Sequence, residues 1–174
     1  SRKVNALTVI FRSCTNVNML TQNKKRLFDK EKSEYTFRSL HSIILSLKEA
    51  KLQFPKIKFD MLIIDHESKK KDIERMNQML LKSDINYSIT SLNLDEFSNN
   101  IKKLNSQNEN VTKNQMSNMA NIHKSFLAAK THCEDLIYFV EDDYLHKLSS
   151  FSEMILSYER ISSQMNRELI LCPA

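Results

Sequence analysis

Three consecutive acids, Glu141-Asp142-Asp143, follow directly on the apolar run Leu136-Ile137-Tyr138-Phe139-Val140. Adjacent carboxylates repel one another, and each would prefer its neutral form. A divalent cation relieves that repulsion, and hard carboxylate oxygens suit Mg²⁺ or Mn²⁺. The alternative is an acidic loop in solvent after an ordinary strand. Two further polar clusters follow apolar runs in the same way. Arg12-Ser13-Cys14-Thr15 comes after Leu7-Thr8-Val9-Ile10-Phe11, and Asp65-His66-Glu67-Ser68 comes after Phe59-Asp60-Met61-Leu62-Ile63-Ile64.

The apolar runs are short and rich in β-branched residues, as buried strands of a parallel sheet are. If they are parallel, all three polar clusters share the carboxyl edge, where open α/β sheets bind ligands. Residues 34–53 repeat Phe37, Leu40, Ile44 and Leu47 at helical spacing, with Ile43 widening the stripe and Pro55 marking the end. Ser68 is placed to cap a second helix carrying Ile73, Met76 and Leu80. Residues 85–89 alternate as a third strand. A long helix from Asn114 presents Met119, Ile122, Phe126 and Ala129. Ser150-Phe151-Ser152-Glu153 matches a capping box before a helix carrying Phe151, Met154, Ile155, Tyr158 and Ile161. Residues 168–172 are expected to begin one more strand. Residues 16–32 read as a loop. Residues 95–113 read as a mobile excursion, with a helical patch at 97–104. The expected fold is therefore α/β, a mostly parallel open sheet with helices on both faces.

Composition narrows the chemistry. The 174 residues fit one domain, and they include no glycine. That excludes a glycine-rich phosphate loop of the P-loop or dinucleotide-binding type. Any phosphate must be held by a metal, by side chains or by helix N-termini. Cys14, Cys133 and Cys172 show no zinc spacing and read as free thiols. No apolar run approaches a membrane span. The opening residues lack a secretory apolar core, which points to the cytoplasm. The formal charge is +5. The basic residues lack the interleaved aromatics of a nucleic-acid groove, so no nucleic-acid partner is expected. Lys24-Lys25-Arg26 and Lys69-Lys70-Lys71 are either solvated faces or a source of attraction to an anionic ligand or lipid surface.

The order of these segments resembles the nucleotide-sugar half of GT-A-fold glycosyltransferases of the family 2 type, over residues 7–161. The first strand and its Arg12-Ser13 turn are similar to that family's opening strand. Asp65-His66-Glu67-Ser68 is similar to its Asp-x-x-Ser turn, with Glu67 where glycine often stands. Residues 118–128 followed by Leu136 to Asp143 resemble the helix and strand leading into its acidic "DxD" motif, here Glu141-Asp142-Asp143. The resemblance implies a metal-dependent transferase that takes a sugar from a nucleotide diphosphate sugar to an acceptor such as a glycan or lipid-linked glycan. It implies Mg²⁺ or Mn²⁺ held by Asp143 and Asp142, and donor contacts from Arg12, Asp65, Asn121, Glu141 and Asp142. Asp65 also suits helix capping, and Asn121 a solvent-facing helix position. His146 and His66 are candidates near the site or plain surface residues. Glu153 and Glu159 are available as bases only by their place in the sequence, so no catalytic base is assigned. In the family the base lies downstream of the acidic motif, among the segments of the acceptor side, so a truncated copy, a fragment of a longer protein and a compact variant are all open. A non-catalytic nucleotide-binding domain within a larger chain or complex is the alternative, and a metal-free interaction module is a third.

Overall fold

The computed structural model describes residues 1–16, 30–97, 99, 104 and 109–172. Four strands form one all-parallel sheet: β1 (Ala6–Ser13), β2 (Lys58–Asp65), β3 (Asn86–Ser91) and β4 (Leu136–Glu141), in the order β3-β2-β1-β4. The described residues also form four α-helices: α1 (Lys32–Gln53), α2 (Lys70–Leu81), α3 (Lys113–His132) and α4 (Ser150–Met165). The α/β parallel sheet expected from the apolar runs is present, with helices on both faces.

Alternation along each strand divides the core in two. Leu7, Val9 and Phe11 of β1 and Phe59, Met61 and Ile63 of β2 face α1, α2 and α4. Ile10 and Ile64 face the other way, toward α3 and the short 3₁₀ turn Leu94–Phe97. A central parallel strand is covered on both sides, which is why β1 reads as continuous apolar sequence. The chain steps from β1 to β2 to β3 in one direction and then returns to β4 on the far side of β1. A right-handed crossover in the reverse direction must place its helix on the opposite face, and α3 lies there. The strand order therefore switches between β1 and β4, where open sheets leave a crevice at the carboxyl edge. The register aligns that edge: Ser13 pairs with Asp65, and Arg12 with Glu141.

Several local expectations are corrected. α3 begins at Lys113 behind a true capping box, in which Thr112 accepts from the Gln115 N–H and Gln115 accepts from the Thr112 N–H. Its sheet-facing side is Ala120, Asn121, Ser125 and Ala129, small residues that let the helix approach the strands. Ile122 and Phe126 are exposed, because α3 lies over β1 and β2 and leaves the edge strand β4 partly bare. Phe126, 61% exposed, pairs with Phe139 of that strand at 5.1 Å between centroids, the rings tilted by 48°.

The capping box expected at Ser150 does not form. Ser149 is the N-cap, its hydroxyl donates to Glu153 (2.6 Å), and Ser46 of α1 accepts the Phe151 N–H (3.2 Å). Residues 168–172 are not a strand. Glu168 is held by Arg2 (2.9 Å) and by the Tyr158 hydroxyl at the amino end of the sheet, and Ile170 projects outward. Lys32, expected in a loop, is the first residue of α1. Most of that expected loop, with Lys24-Lys25-Arg26, and most of the 97–104 patch lie outside the described residues.

Candidate functional site

The carboxyl edge is built around the turn that leaves β1. Three successive residues of this turn each bond to a different buried aspartate. The Ser13 hydroxyl donates to Asp65 (2.6 Å), the Cys14 N–H to Asp142 (3.3 Å), and the Thr15 hydroxyl to Asp72 (2.7 Å). The three acids come from the end of β2, the turn after β4 and the first turn of α2. One short turn thus ties three elements together at the sheet edge.

Asp65 is 2% exposed and closes its own turn, accepting the Ser68 N–H (3.1 Å) as well as the Ser13 hydroxyl. It does not cap α2. Ser68 does not cap it either, because its hydroxyl accepts the Thr15 N–H (2.8 Å) and the helix starts at Lys70 behind Lys69. Asp72 supplies the negative charge that the α2 N-terminus favours. Lys69, Lys70 and Lys71 are exposed there. Glu67 takes a left-handed conformation (φ 53°), the position where glycine is least strained. Its carboxylate pairs with Lys113 (3.0 Å), which holds it below the usual carboxylate range.

His66 is buried, with its Nδ1 2.8 Å from the Ser117 hydroxyl of α3. Asn121 is buried as well, not solvent-facing; its amide donates to the Ile64 carbonyl (3.2 Å) and ties α3 to β2. Arg12 is largely buried. It pairs with Glu141 and donates to the Asn118 side chain (3.1 Å). His146 has other partners. Its Nε2 meets the Tyr138 hydroxyl (2.9 Å), its ring stacks on Phe151, and burial lowers its pKa. Glu159 accepts from Lys3 (2.8 Å) and the Val4 N–H (2.9 Å) at the amino end of the sheet, opposite the acids. Burial and the charges of Asp65 and Asp142 push the Cys14 thiol up to about 11, so it is not an activated nucleophile. Burial also raises Cys133.

The three acids have different surroundings. Glu141 is paired with Arg12. Asp142 is 7% exposed and fully engaged. One oxygen accepts from the Lys32 ammonium (2.6 Å), and the other from the Thr36 hydroxyl (2.8 Å) and the Cys14 N–H. Asp143 is open: its side chain is 40% exposed, and its contact with Lys32 is longer, at 3.8 Å. Among the described residues, these three carboxylates meet two cations, Arg12 and Lys32, and the contact to Asp143 is the longest of the three. Sequence reasoning missed Lys32, whose partners lie 110 and 111 positions away. Its one local signal is Thr36, four residues on and so on the same helix face.

Among the described residues, no group of three or more His, Cys, Asp or Glu side chains converges to hold a metal ion. The residues present fit a site of a different kind. Glu141 is exposed too, at 48% of its side chain, but it is paired with Arg12. Asp143, exposed and held only by a long contact, suits Mg²⁺ or Mn²⁺ when diphosphate oxygens and water supply the other ligands. A cavity of about 590 Å³ lies at the opposite edge, lined by Lys51, Lys58, Asp60 and Asp84 among others. Its charged groups pair with one another, Lys51 with Asp84 (3.0 Å) and Lys58 with Asp60 (3.5 Å). It brings together none of the residues singled out by the sequence.

No helix among the described residues is long and apolar enough to cross a membrane. No protein-family model, curated protein or solved structure matches this chain.

Proposed function

We propose that this chain is the donor-binding part of a metal-dependent glycosyltransferase, binding a nucleotide diphosphate sugar at the carboxyl edge between β1 and β4. The observation that carries this reading is Asp143: an open carboxylate at the point where the strand order switches. Asp143 would hold Mg²⁺ or Mn²⁺ together with the diphosphate. The ion would supply Lewis-acid stabilisation of the charge that grows on the departing nucleoside diphosphate. Asp142 acts as an anchor that fixes the acidic turn, since both its oxygens are engaged within the protein. Arg12, held in place by Glu141 and Asn118, faces the donor's phosphates or ribose from β1. Asp65 and Asn121 shape the edge from behind it, through Ser13 and the Ile64 carbonyl.

A second reading, a domain that binds the nucleotide without turnover, is favoured by Glu159. That acid is bonded at the far end of the sheet and cannot serve as a base beside Asp143.

The test is thermal melting with Mn²⁺ and a panel of nucleoside diphosphates. A ligand at a hundred times its dissociation constant stabilises by about 2.7 kcal/mol. For a chain of this size that is roughly 5–10 °C. Asp143→Asn should abolish the shift. No shift with any nucleotide refutes both readings, and an equal shift in Asp143→Asn refutes the assignment of Asp143. A shift without hydrolysis or transfer of the matching nucleotide sugar selects the second.

A further inference from the structure

Lys32 stands at an unfavourable place for a cation. It is the first residue of α1, where the helix dipole is positive, and its side chain is only 10% exposed. The two carboxylates it meets compensate for that. The contact with Asp142 is close, at 2.6 Å, and it is braced. The Thr36 hydroxyl contacts the Asp142 carboxylate (2.8 Å) and the Lys32 carbonyl (3.2 Å), and the Cys14 N–H adds a third donor to Asp142. The contact with Asp143 is longer, at 3.8 Å, and Asp143 is open to solvent. The ammonium is therefore anchored on Asp142 and reaches toward the space beside Asp143.

Two consequences follow from the charges alone. A divalent cation approaching Asp143 by itself meets the Lys32 ammonium at short range, which weakens the attraction of the carboxylate. A diphosphate arriving with the cation brings negative oxygens that both positive groups can share. We propose that Lys32 is the internal counter-ion of the acidic turn, weakening the binding of a divalent cation alone and coupling it to the binding of a diphosphate. The inference rests on the assignment of Asp143 as the metal-binding carboxylate. It makes Lys32 a positioning residue that orders the assembly of the donor complex.

The experiment is calorimetric titration of Mn²⁺ alone, and of uridine diphosphate at saturating Mn²⁺, into wild type, Lys32→Arg and Lys32→Gln. Glutamine keeps a donor for Asp142 while removing the charge. Coupling between ligands is typically between about 5-fold and 150-fold, so a change of about tenfold is expected in each titration. Lys32→Gln should bind Mn²⁺ alone about tenfold more tightly and uridine diphosphate about tenfold more weakly, with Lys32→Arg close to wild type. Should Lys32→Gln not fold, Lys32→Met, which keeps a long side chain without the charge and leaves Asp142 its Thr36 and Cys14 donors, takes its place, and the same direction is expected. Equal Mn²⁺ affinity in wild type and Lys32→Gln, with diphosphate binding retained in both, overturns the role of Lys32 and leaves the donor-site reading standing. Absence of Mn²⁺ and diphosphate binding in every variant overturns the donor-site reading and this inference with it.

Discussion

Glu67 offers a test of the edge that needs no ligand. The residue sits in the turn after β2 with φ 53°, in a chain that contains no glycine. A non-glycine residue in the left-handed region costs roughly 1–2 kcal/mol. Its exposed ion pair with Lys113 returns about 0–1 kcal/mol. Glycine would remove the strain but lose roughly 0.5–1 kcal/mol through the freedom it gains in the unfolded chain. Against wild type these effects nearly cancel. The informative comparison is Glu67→Gly with Glu67→Ala, since both lack the ion pair. In a helix or strand interior, glycine is the less stable of the two by roughly 0.5–1 kcal/mol. Here the order should invert, with Glu67→Gly more stable by about 1 kcal/mol once strain and chain entropy are combined. That is roughly 2–4 °C in melting temperature for a chain of this size. Urea denaturation and thermal melting of the two variants measure it directly. If Glu67→Ala is as stable as Glu67→Gly or more so, the turn is not held in the left-handed conformation and the account of this edge is wrong.

Asp142→Ala should be far more damaging than Asp143→Ala. The first strands the buried Lys32 ammonium and is expected to cost about 3–5 kcal/mol in urea unfolding. The second removes an exposed carboxylate and should stay within about 0.5 kcal/mol. Equal effects of the two would contradict the anchoring of Asp142. His146, whose pKa burial lowers from its ordinary 6.5, gives a pH signature. The unfolded chain then binds the proton first, so stability is intact above pH 6.5 and is lost as pH falls from there toward the folded value. Melting temperature between pH 7.5 and 5 should fall more steeply in wild type than in His146→Phe, and parallel slopes would sink this prediction.

How much was legible beforehand differs from element to element. The runs to Phe11 and Ile64 could be read because a parallel strand buried on both faces is written as a continuous apolar run. The run to Val140 is as apolar, although β4 lies at the sheet edge and Val140 is its one buried residue. α1 could be read because its stripe from Phe37 to Leu47 all faces one layer. α3 was read half correctly: Met119 and Ala129 do pack toward the sheet, but Ile122 and Phe126, the more apolar residues, are exposed, because close approach to the sheet selected Ala120 and Ser125 beside Ala129. The box at Thr112 and Gln115 was legible in the sequence and overlooked. The failed strand at residues 168–172 was apolar enough, yet no strand edge receives it.

The sequence by itself determined that apolar runs end in polar clusters and, through the absence of glycine, that no glycine-rich loop can cradle a phosphate. Local pattern suffices for both, because burial and backbone freedom are properties of single residues and their near neighbours. The tertiary structure decided which acid is free. Glu141, Asp142 and Asp143 are adjacent in sequence, but each is defined by partners far away in the chain: Arg12 for the first, and Lys32, Thr36 and the Cys14 N–H for the second. Charge compensation acts through distance in space, so three acids that look alike in sequence become a surface acid paired with Arg12, a buried anchor and an open carboxylate held only by a long contact.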